Sequence, residues 1–395
     1  DLHKEYRRQR QMCIRDSCMG CWACCNICSK NAISMIEDKF GFLHPQINHN
    51  LCIDCGACRT VCPNNTLPIF HIEMSTYAAV SKNDDIYKKS TSGGVATTLS
   101  AFIIEKGGIV YGAAFDKAFN LLHSRIDSVK ELHKIQGTKY VQSSIGYSYK
   151  QIKNDLKSKT VLFIGTPCQV AGLLNYIPNS LHKNLFTVSF ICGGVPSNKF
   201  LKQNLNSYLK DAKNIKFRNG CDYGFWIEYT NNKIIHLQRF YNQYFRAFDN
   251  KISLRSSCYG CKFSRRERIG DITIGDFWGL SSGNLLDREK SGLGVSIILC
   301  SSEKGVSLIK NSSSNFIIEK HDISETFKFN PRLLSPVIKN NHVKKFRQSF
   351  EKNEDFDKSV GKILNIKYKI YEIKGFLKKN KILSSINDSI KSVRK

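Results

Sequence analysis

Two runs of cysteine constrain this chain more than any other feature. Cys18, Cys21, Cys24 and Cys28 are followed by Cys52, Cys55, Cys58 and Cys62, each run spaced C-x2-C-x2-C-x3-C, and the second closes on Pro63. Bacterial two-cluster ferredoxins space their ligands this way, three thiolates of one run and the fourth of the other holding each [4Fe–4S] cluster. On that logic Cys18, Cys21, Cys24 and Cys62 hold one cluster, and Cys52, Cys55, Cys58 and Cys28 hold the other. Zinc also accepts thiolate quartets, but its sites usually pair two C-x2-C units across a long loop. Cys21, Cys25 and Cys28 match the C-x3-C-x2-C loop of radical S-adenosylmethionine enzymes, a reading that leaves Cys18 and Cys24 unexplained. Cys25 is then a spare thiol packed near a cluster. Ser29 stands where the first run would normally carry proline, which leaves the ligands unaffected.

The 395 residues give room for a small module plus one large or two ordinary domains. Half of the sixteen cysteines sit in cluster spacing, and no signal peptide is evident, so a reducing cytoplasm is expected rather than disulfides. No apolar run is long enough for a transmembrane segment. The net charge of +27 suits nucleic acid, an acidic membrane face or an acidic partner. No helix-turn-helix, RRM or zinc-finger pattern accompanies it, so nucleic acid is not expected. An acidic electron donor, or the phosphates of a cofactor or substrate, fits the charge better. Residues 1–17 read as a translated sequencing adapter, begin with Asp1 rather than Met, and are set aside with Cys13.

Short strands are expected at Ala32–Glu37 and Phe42–Ile47 around an Asp38–Gly41 turn, within a module spanning 18–70. From Tyr77 the pattern changes to alternating strands and helices. Strands are expected at Tyr77–Ser81, Ile109–Ala114, Thr160–Gly165, Phe186–Ile191, Ile272–Gly275 and Val295–Cys300. Helices are expected near Gly94–Glu105, Ser148–Leu156, Gln169–Leu174 and Asn198–Leu209. That alternation predicts an α/β domain over 75–322. Residues 323–395 read as a Lys-rich helical tail, with Ile363, Ile366, Ile370, Ile373, Phe376 and Leu377 forming an amphipathic stripe. The stripe packs on the chain's own core, on a second subunit or partner complex, or on a membrane surface.

Glycine-bearing turns end several strands, where open α/β sheets place ligands. Cys168 lies in Gly165-Thr-Pro-Cys-Gln169, Cys192 in Ile191-Cys-Gly-Gly-Val-Pro196, and Cys258 and Cys261 form a further C-x2-C. These four are either ordinary buried thiols or, if the sheet order gathers their loops, a third [4Fe–4S] site. No G-x-G-x-x-G or Walker A is present. Ser92-Gly93-Gly94, opening a helix, is either a phosphate cradle or a plain N-cap. Lys139 and Tyr140 offer charge and a stacking face, or are surface residues. Asp271 and Asp276 bind ribose or flavin edges, or simply end a strand. Arg265, Arg266 and Arg268 read as a solvated run. His123, His133, Tyr140 and Lys139 are candidate proton donors that no spacing selects among.

Gln136-Gly-Thr-Lys-Tyr-Val-Gln-Ser143, Gly165-Thr-Pro-Cys-Gln-Val-Ala-Gly172, Cys192-Gly-Gly-Val-Pro-Ser197, Gly270-Asp-Ile-Thr-Ile-Gly-Asp-Phe-Trp-Gly279 and Ser90-Thr-Ser-Gly-Gly94 resemble, in order, the coenzyme F420 hydrogenase/dehydrogenase β-subunit family. The similarity runs from Cys18 to about Gly305. It implies an α+β ferredoxin-like two-cluster module followed by an α/β flavin-binding domain and a helical, basic C-terminal tail. It further implies FAD close to an iron–sulfur centre held by Cys168, Cys192, Cys258 and Cys261. Ser92, Gly93, Gly94, Lys139, Tyr140, Gly165, Thr166, Gln169 and Asp276 are then the expected FAD contacts. Electrons would enter from reduced ferredoxin or a similar acidic donor and leave to a small organic substrate. A non-catalytic electron-relay subunit of a larger complex is the alternative. Gly193 stands where histidine commonly follows that cysteine, and coenzyme F420 itself is not carried over as substrate.

Overall fold

A computed structural model describes residues 16–379 except 221, 291 and 293, with backbone alone for 289, 290 and 372–379. The adapter-like segment up to 15, with Cys13, and the tail beyond 379 lie outside the described residues.

In the cysteine-rich module, β1 (Ile33–Glu37) pairs antiparallel with β2 (Leu43–Ile47). The Asp38 carboxylate closes the turn by accepting the backbone N–H of Phe40 and Phe42, both at 2.9 Å. Gly41 has φ +79°, and a Cβ there would lie 2.3 Å from Lys199 Cβ, so the turn and its docking both require glycine. Phe40 and Phe42 join a core that includes Phe200, Phe346 and Phe350. Met19, Ala23 and Val61 join another with Tyr149 and Phe163. The module thus borrows most of its core from the rest of the chain.

The main body is one mixed sheet. Its strands are β3 (Ser75–Ser81), β4 (Ile109–Phe115), β5 (Leu121–Ile126), β6 (Val161–Gly165), β7 (Leu185–Phe190) and, after an insertion, β11 (Ile272–Asp276), β12 (Ser296–Cys300) and β13 (Phe316–Lys320). The spatial order is β13-β3-β12-β11-β7-β6-β4-β5. The β4–β6–β7–β11 stretch is parallel, while β5, β12 and β13 pair antiparallel with their neighbours. Every residue of β6 is buried, as a parallel strand covered on both faces requires. The insertion folds as a separate antiparallel sheet, β8 (Ala212–Asn219), β9 (Asp222–Tyr229) and β10 (Ile234–Gln238), in the order β10-β9-β8. It hangs over the carboxyl edge of the parallel strands through the Arg218–Asp276 ion pair.

The tail carries two long helices, Asn341–Asn353 and Phe356–Lys379. On the second, the expected stripe is displaced. Phe356, Val360, Leu364 and Tyr368 are buried at i, i+4 spacing, Ile363 packs at the margin, and Ile366 and Ile370 face outward, 74% and 46% exposed. The side chains of Ile373, Phe376 and Leu377 lie outside the described residues. Among the described residues, no helix is long and apolar enough to cross a membrane.

Candidate metal centres and flavin site

The two cysteine runs fold into the same loop twice. The third residue of each run, Gly20 (φ +65°) and Asp54 (φ +52°), is left-handed, and so is the fifth, Trp22 (φ +64°) and Gly56 (φ +74°). Trp22 and Gly56 then cap the short helices Ala23–Ile27 and Ala57–Thr60. Left-handed residues turn the backbone so that N–H groups face the sulfurs. Gly20 N–H donates to Cys18 Sγ (3.4 Å) and Ala32 N–H to Cys28 Sγ (3.3 Å). Hydrogen bonds of this kind tune a cluster's potential.

The fourth cysteine of the second run lies beside two cysteines of the first. Burial raises the Cys62 thiol, and the neighbouring Cys24 and Cys18 raise it further. Burial likewise raises Cys58, and the neighbouring Cys24, Cys52 and Cys55 add to it. Cys55 is exposed, whereas Cys21 and Cys25 are buried. The Cys52–Cys58 loop therefore faces solvent and the Cys18–Cys24 loop faces inward. Among the described residues, no three His, Cys, Asp or Glu side chains gather as a single-ion site would require.

The sheet order gathers the four dispersed cysteines. Cys168 opens the helix Pro167–Tyr176 after β6, Cys192 follows the adjacent β7, and Cys258 and Cys261 approach from the loop before β11. All four line one cleft. Burial pushes Cys168 up to about 12 and Cys192 to about 11, and neighbouring thiols add to both. Cys258 is raised as well, by burial and then by Cys192 and Cys168. Four cysteine sulfurs gathered in one cleft are the donor set that a [4Fe–4S] cluster takes.

Gly165, Thr166 and Gln169 seat Cys168. Thr166 and Gln169 form a capping box in which Gln169 Oε1 accepts the Thr166 N–H (3.0 Å), while Gln169 Nε2 donates to Ser143 O (3.1 Å). Thr166 Oγ1 lies 3.2 Å from Cys168 Sγ. On the same helix, a Cβ on Gly172 would lie 3.1 Å from Cys21 Sγ. The first ferredoxin-type loop therefore packs directly on the helix that presents Cys168.

The remaining expected FAD contacts collect further along the carboxyl edge. Gly93 N–H donates to Ser296 Oγ (3.0 Å), and a Cβ at Gly93 would lie 2.1 Å from Ala79 O. Ser92 Oγ also meets Ser296 Oγ (3.2 Å), and Ser296 pairs with Asp276 across β12 and β11. Thr91 and Thr138 join hydroxyls at 2.7 Å, holding the 136–140 loop against the Ser92 turn. Lys139 Nζ donates to the carbonyls of Ile135, Gln136 and Gly137, so its donors are spent inside its own loop. Tyr140 stacks on Tyr223 (6.1 Å between centroids).

Sequence reasoning missed Arg218, which lies in the polar, alternating β8 and carries no motif. It is 2% exposed, lies 4.4 Å over the Tyr223 ring and pairs with Asp276 at 2.8 Å. Its Nη2 has no partner among the described residues. A buried guanidinium N–H without an acceptor is costly. The carbonyl-bearing, electron-rich edge of a flavin beside Tyr140 and Asp276 fits that need.

Other residues take structural roles. Arg268 is not solvated as expected. It is 1% exposed and donates to the carbonyls of Phe263, Arg265 and Phe190, pinning the loop before β11. Arg265 and Arg266 are the outward members, paired with Glu267 and Glu73. Asp271 accepts from Thr187 N–H (2.9 Å) and Oγ1 (2.8 Å) and from Ser302 Oγ (2.6 Å), the strand-ending role. His123 is buried against Phe163, and burial pushes it down to about 4.

Protein-family models cover most of this architecture up to residue 326, leaving the two tail helices outside. One described as the N-terminal part of coenzyme F420 hydrogenase/dehydrogenase, beta subunit, matches residues 76–147, and its C-terminal counterpart matches 158–326. The chain belongs to the coenzyme F420 hydrogenase/dehydrogenase beta-subunit family. A 4Fe-4S dicluster domain matches residues 17–66, so this member is an iron–sulfur redox protein of a hydrogenase/dehydrogenase type. No curated protein matches it. Among solved structures it is similar to a chain of the F420-reducing [NiFe] hydrogenase complex from Methanosarcina barkeri. That match has 20% identity and a TM-score of 0.46, covering 65% of this chain and 85% of that one.

Proposed function

We propose that this family member is an iron–sulfur flavoprotein oxidoreductase that takes electrons from reduced ferredoxin, or a similar acidic donor, and reduces a small organic substrate. When bound, [4Fe–4S] clusters would carry electrons singly and FAD would exchange them singly with the clusters and in pairs with the substrate. The chain's own part is to arrange thiols in order of depth. The exposed Cys55 belongs to the outermost set, with Cys52, Cys58 and Cys28. Cys18, Cys21, Cys24 and Cys62 form the next set inward. Cys168, Cys192, Cys258 and Cys261 form the third, beside the carboxyl edge where Ser92–Gly94, Tyr140, Arg218 and Asp276 would hold FAD.

The observation that supports this reading is the packing of Cys21 against the helix that carries Cys168. Basic surface charge, +27 overall, favours an acidic donor. Protein purified anaerobically should contain about twelve irons and one flavin per chain. Reduced ferredoxin should bleach the flavin absorbance, and Cys168→Ser should abolish that bleaching while keeping the other two clusters. Iron-loaded protein that holds no flavin would overturn the proposal. Stoichiometric copurification with a larger complex, with no turnover alone, would instead favour the relay-subunit reading.

A further inference from the structure

Arg255 is 1% exposed and sits between the second and third thiol sets. Its guanidinium reaches into the cysteine-rich module, where Nε donates to the Cys18 carbonyl (2.6 Å) and Nη2 to the Leu43 carbonyl (2.7 Å). Nη1 donates to Gln142 Oε1 (3.1 Å), and Gln142 Nε2 donates in turn to Met19 O (2.9 Å). The backbone of the same residue organises the third set. Arg255 N–H donates to Val195 O (3.0 Å) in the Cys192 loop, and Arg255 O accepts the Cys258 N–H (3.0 Å). The module is shaped to admit the side chain, since a Cβ on Gly20 would lie 3.0 Å from Arg255 Nη1 and 2.9 Å from Gln142 Nε2.

The charge acts on both sides of the seam. On the module side the guanidinium lies against the Cys18 carbonyl, with His44 Nδ1 3.4 Å from its Nη2. On the sheet side Arg255 lines the same cleft as Cys168, Cys192, Cys258 and Cys261. A fixed cation in a water-poor seam is poorly screened, so it stabilises whichever neighbouring cluster carries the extra electron. With clusters bound at both sets, Arg255 would lie where a single electron passes between them. No bond forms or breaks, and Arg255 keeps its proton throughout.

We propose that Arg255 is the positioning residue for this inner transfer, a buried charge that raises and matches the reduction potentials of the second and third clusters while fixing their separation. The proposal rests on reading the Cys168 set as a cluster. The test is redox titration of the anaerobic full-length protein followed by EPR, on wild type, Arg255→Gln and Arg255→Lys. In Arg255→Gln the reduced-to-oxidised ratio of both inner clusters at a fixed potential should fall about tenfold, a shift of 59 mV for a one-electron couple. The outer cluster should stay within about twofold, serving as internal control. Arg255→Lys, which retains the charge, should restore most of the ratio, a result that a purely structural role would not give.

Unchanged potentials, or an equal shift in all three clusters, would overturn the assignment. If Arg255→Gln loses iron, Gln142→Glu decides, because it sets a carboxylate against the intact guanidinium and should lower the same two potentials. If the third set holds no cluster, about eight irons rather than twelve will be found. The cluster reading of Cys168 then fails, and with it the matching of two centres.

Discussion

Lys139 illustrates how far a single side chain can be read from its neighbours alone. Three carbonyls hold its ammonium, while burial pushes it down to about 7. Its value is lowered on folding, so between about pH 7 and 10 the unfolded chain binds more protons, and stability should rise with pH across that window. Lys139→Met should lack this contribution and, at pH 7, lose about 1–3 kcal/mol through the abandoned carbonyls. Urea unfolding of both proteins at pH 7, 8 and 9 checks the slope, and parallel slopes would mean that the carbonyl cage keeps the ammonium charged. The sequence marked Lys139 as an expected FAD contact and candidate proton donor, or else a surface residue. That its charge is turned inward follows from the positive φ of Gly137 (+82°) and the backbone path around it, which no spacing reveals. Arg255 and Arg268 were hidden for the same reason, since burial of a long basic side chain depends on carbonyls supplied from distant segments.

At the scale of elements, much was legible wherever local periodicity and covalent spacing decide the outcome. The cysteine runs specify their loops because the x2 steps place left-handed residues at equivalent positions. The apolar runs that became β6 and β12 are buried at every position and those of β3, β4, β7 and β11 at most, so their pattern needs no partner to interpret. The β8–β10 sheet escaped because its edge strands are largely polar and half-exposed, and in Ala-Lys-Asn-Ile-Lys-Phe-Arg-Asn219 the alternation is confined to the few residues around Ile215 and Phe217. The antiparallel placement of β12 escaped because strand direction is set by connections rather than by composition. On the helix Phe356–Lys379 the isoleucines at 366 and 370 suggested the wrong face, since the buried stripe is built largely from Phe356, Val360, Leu364 and Tyr368. The capping box opening the helix Pro167–Tyr176 yields a prediction at this scale. Thr166→Val should cost about 1 kcal/mol of stability through the lost cap. It should also alter the EPR line shape of the Cys168 centre, because the hydroxyl 3.2 Å from that sulfur is removed. A spectrum identical to wild type would show that Thr166 acts on the helix alone.

For the molecule as a whole, the question is which parts stand without iron. The cysteine-rich module contributes Met19, Ala23, Val61, Phe40 and Phe42 to cores completed by other segments, and its remaining interior is where thiols converge. The sheet keeps cores to which the module contributes nothing: Leu99, Ile103, Leu162, Val188 and Ile298 lie on one face and Val80, Phe277, Ile297 and Leu299 on the other. Metal binding to such a module is largely its folding free energy, so stripping the clusters should release it while the sheet persists. The link near residues 71–74 is pinned by His71 N–H to Arg268 O (2.9 Å) and Met74 N–H to Cys300 O (2.7 Å), which sets the boundary of what loosens. Oxidative removal of iron from the full chain, followed by limited proteolysis, should therefore cut first between residues 18 and 70. It should leave a resistant fragment beginning near 71–75 that retains most of the far-ultraviolet dichroism. Holoprotein should resist cleavage in that interval. Early cuts inside β6 or β7, or cooperative loss of all structure with the iron, would show that the module's borrowed contacts stabilise the sheet as much as the sheet stabilises the module.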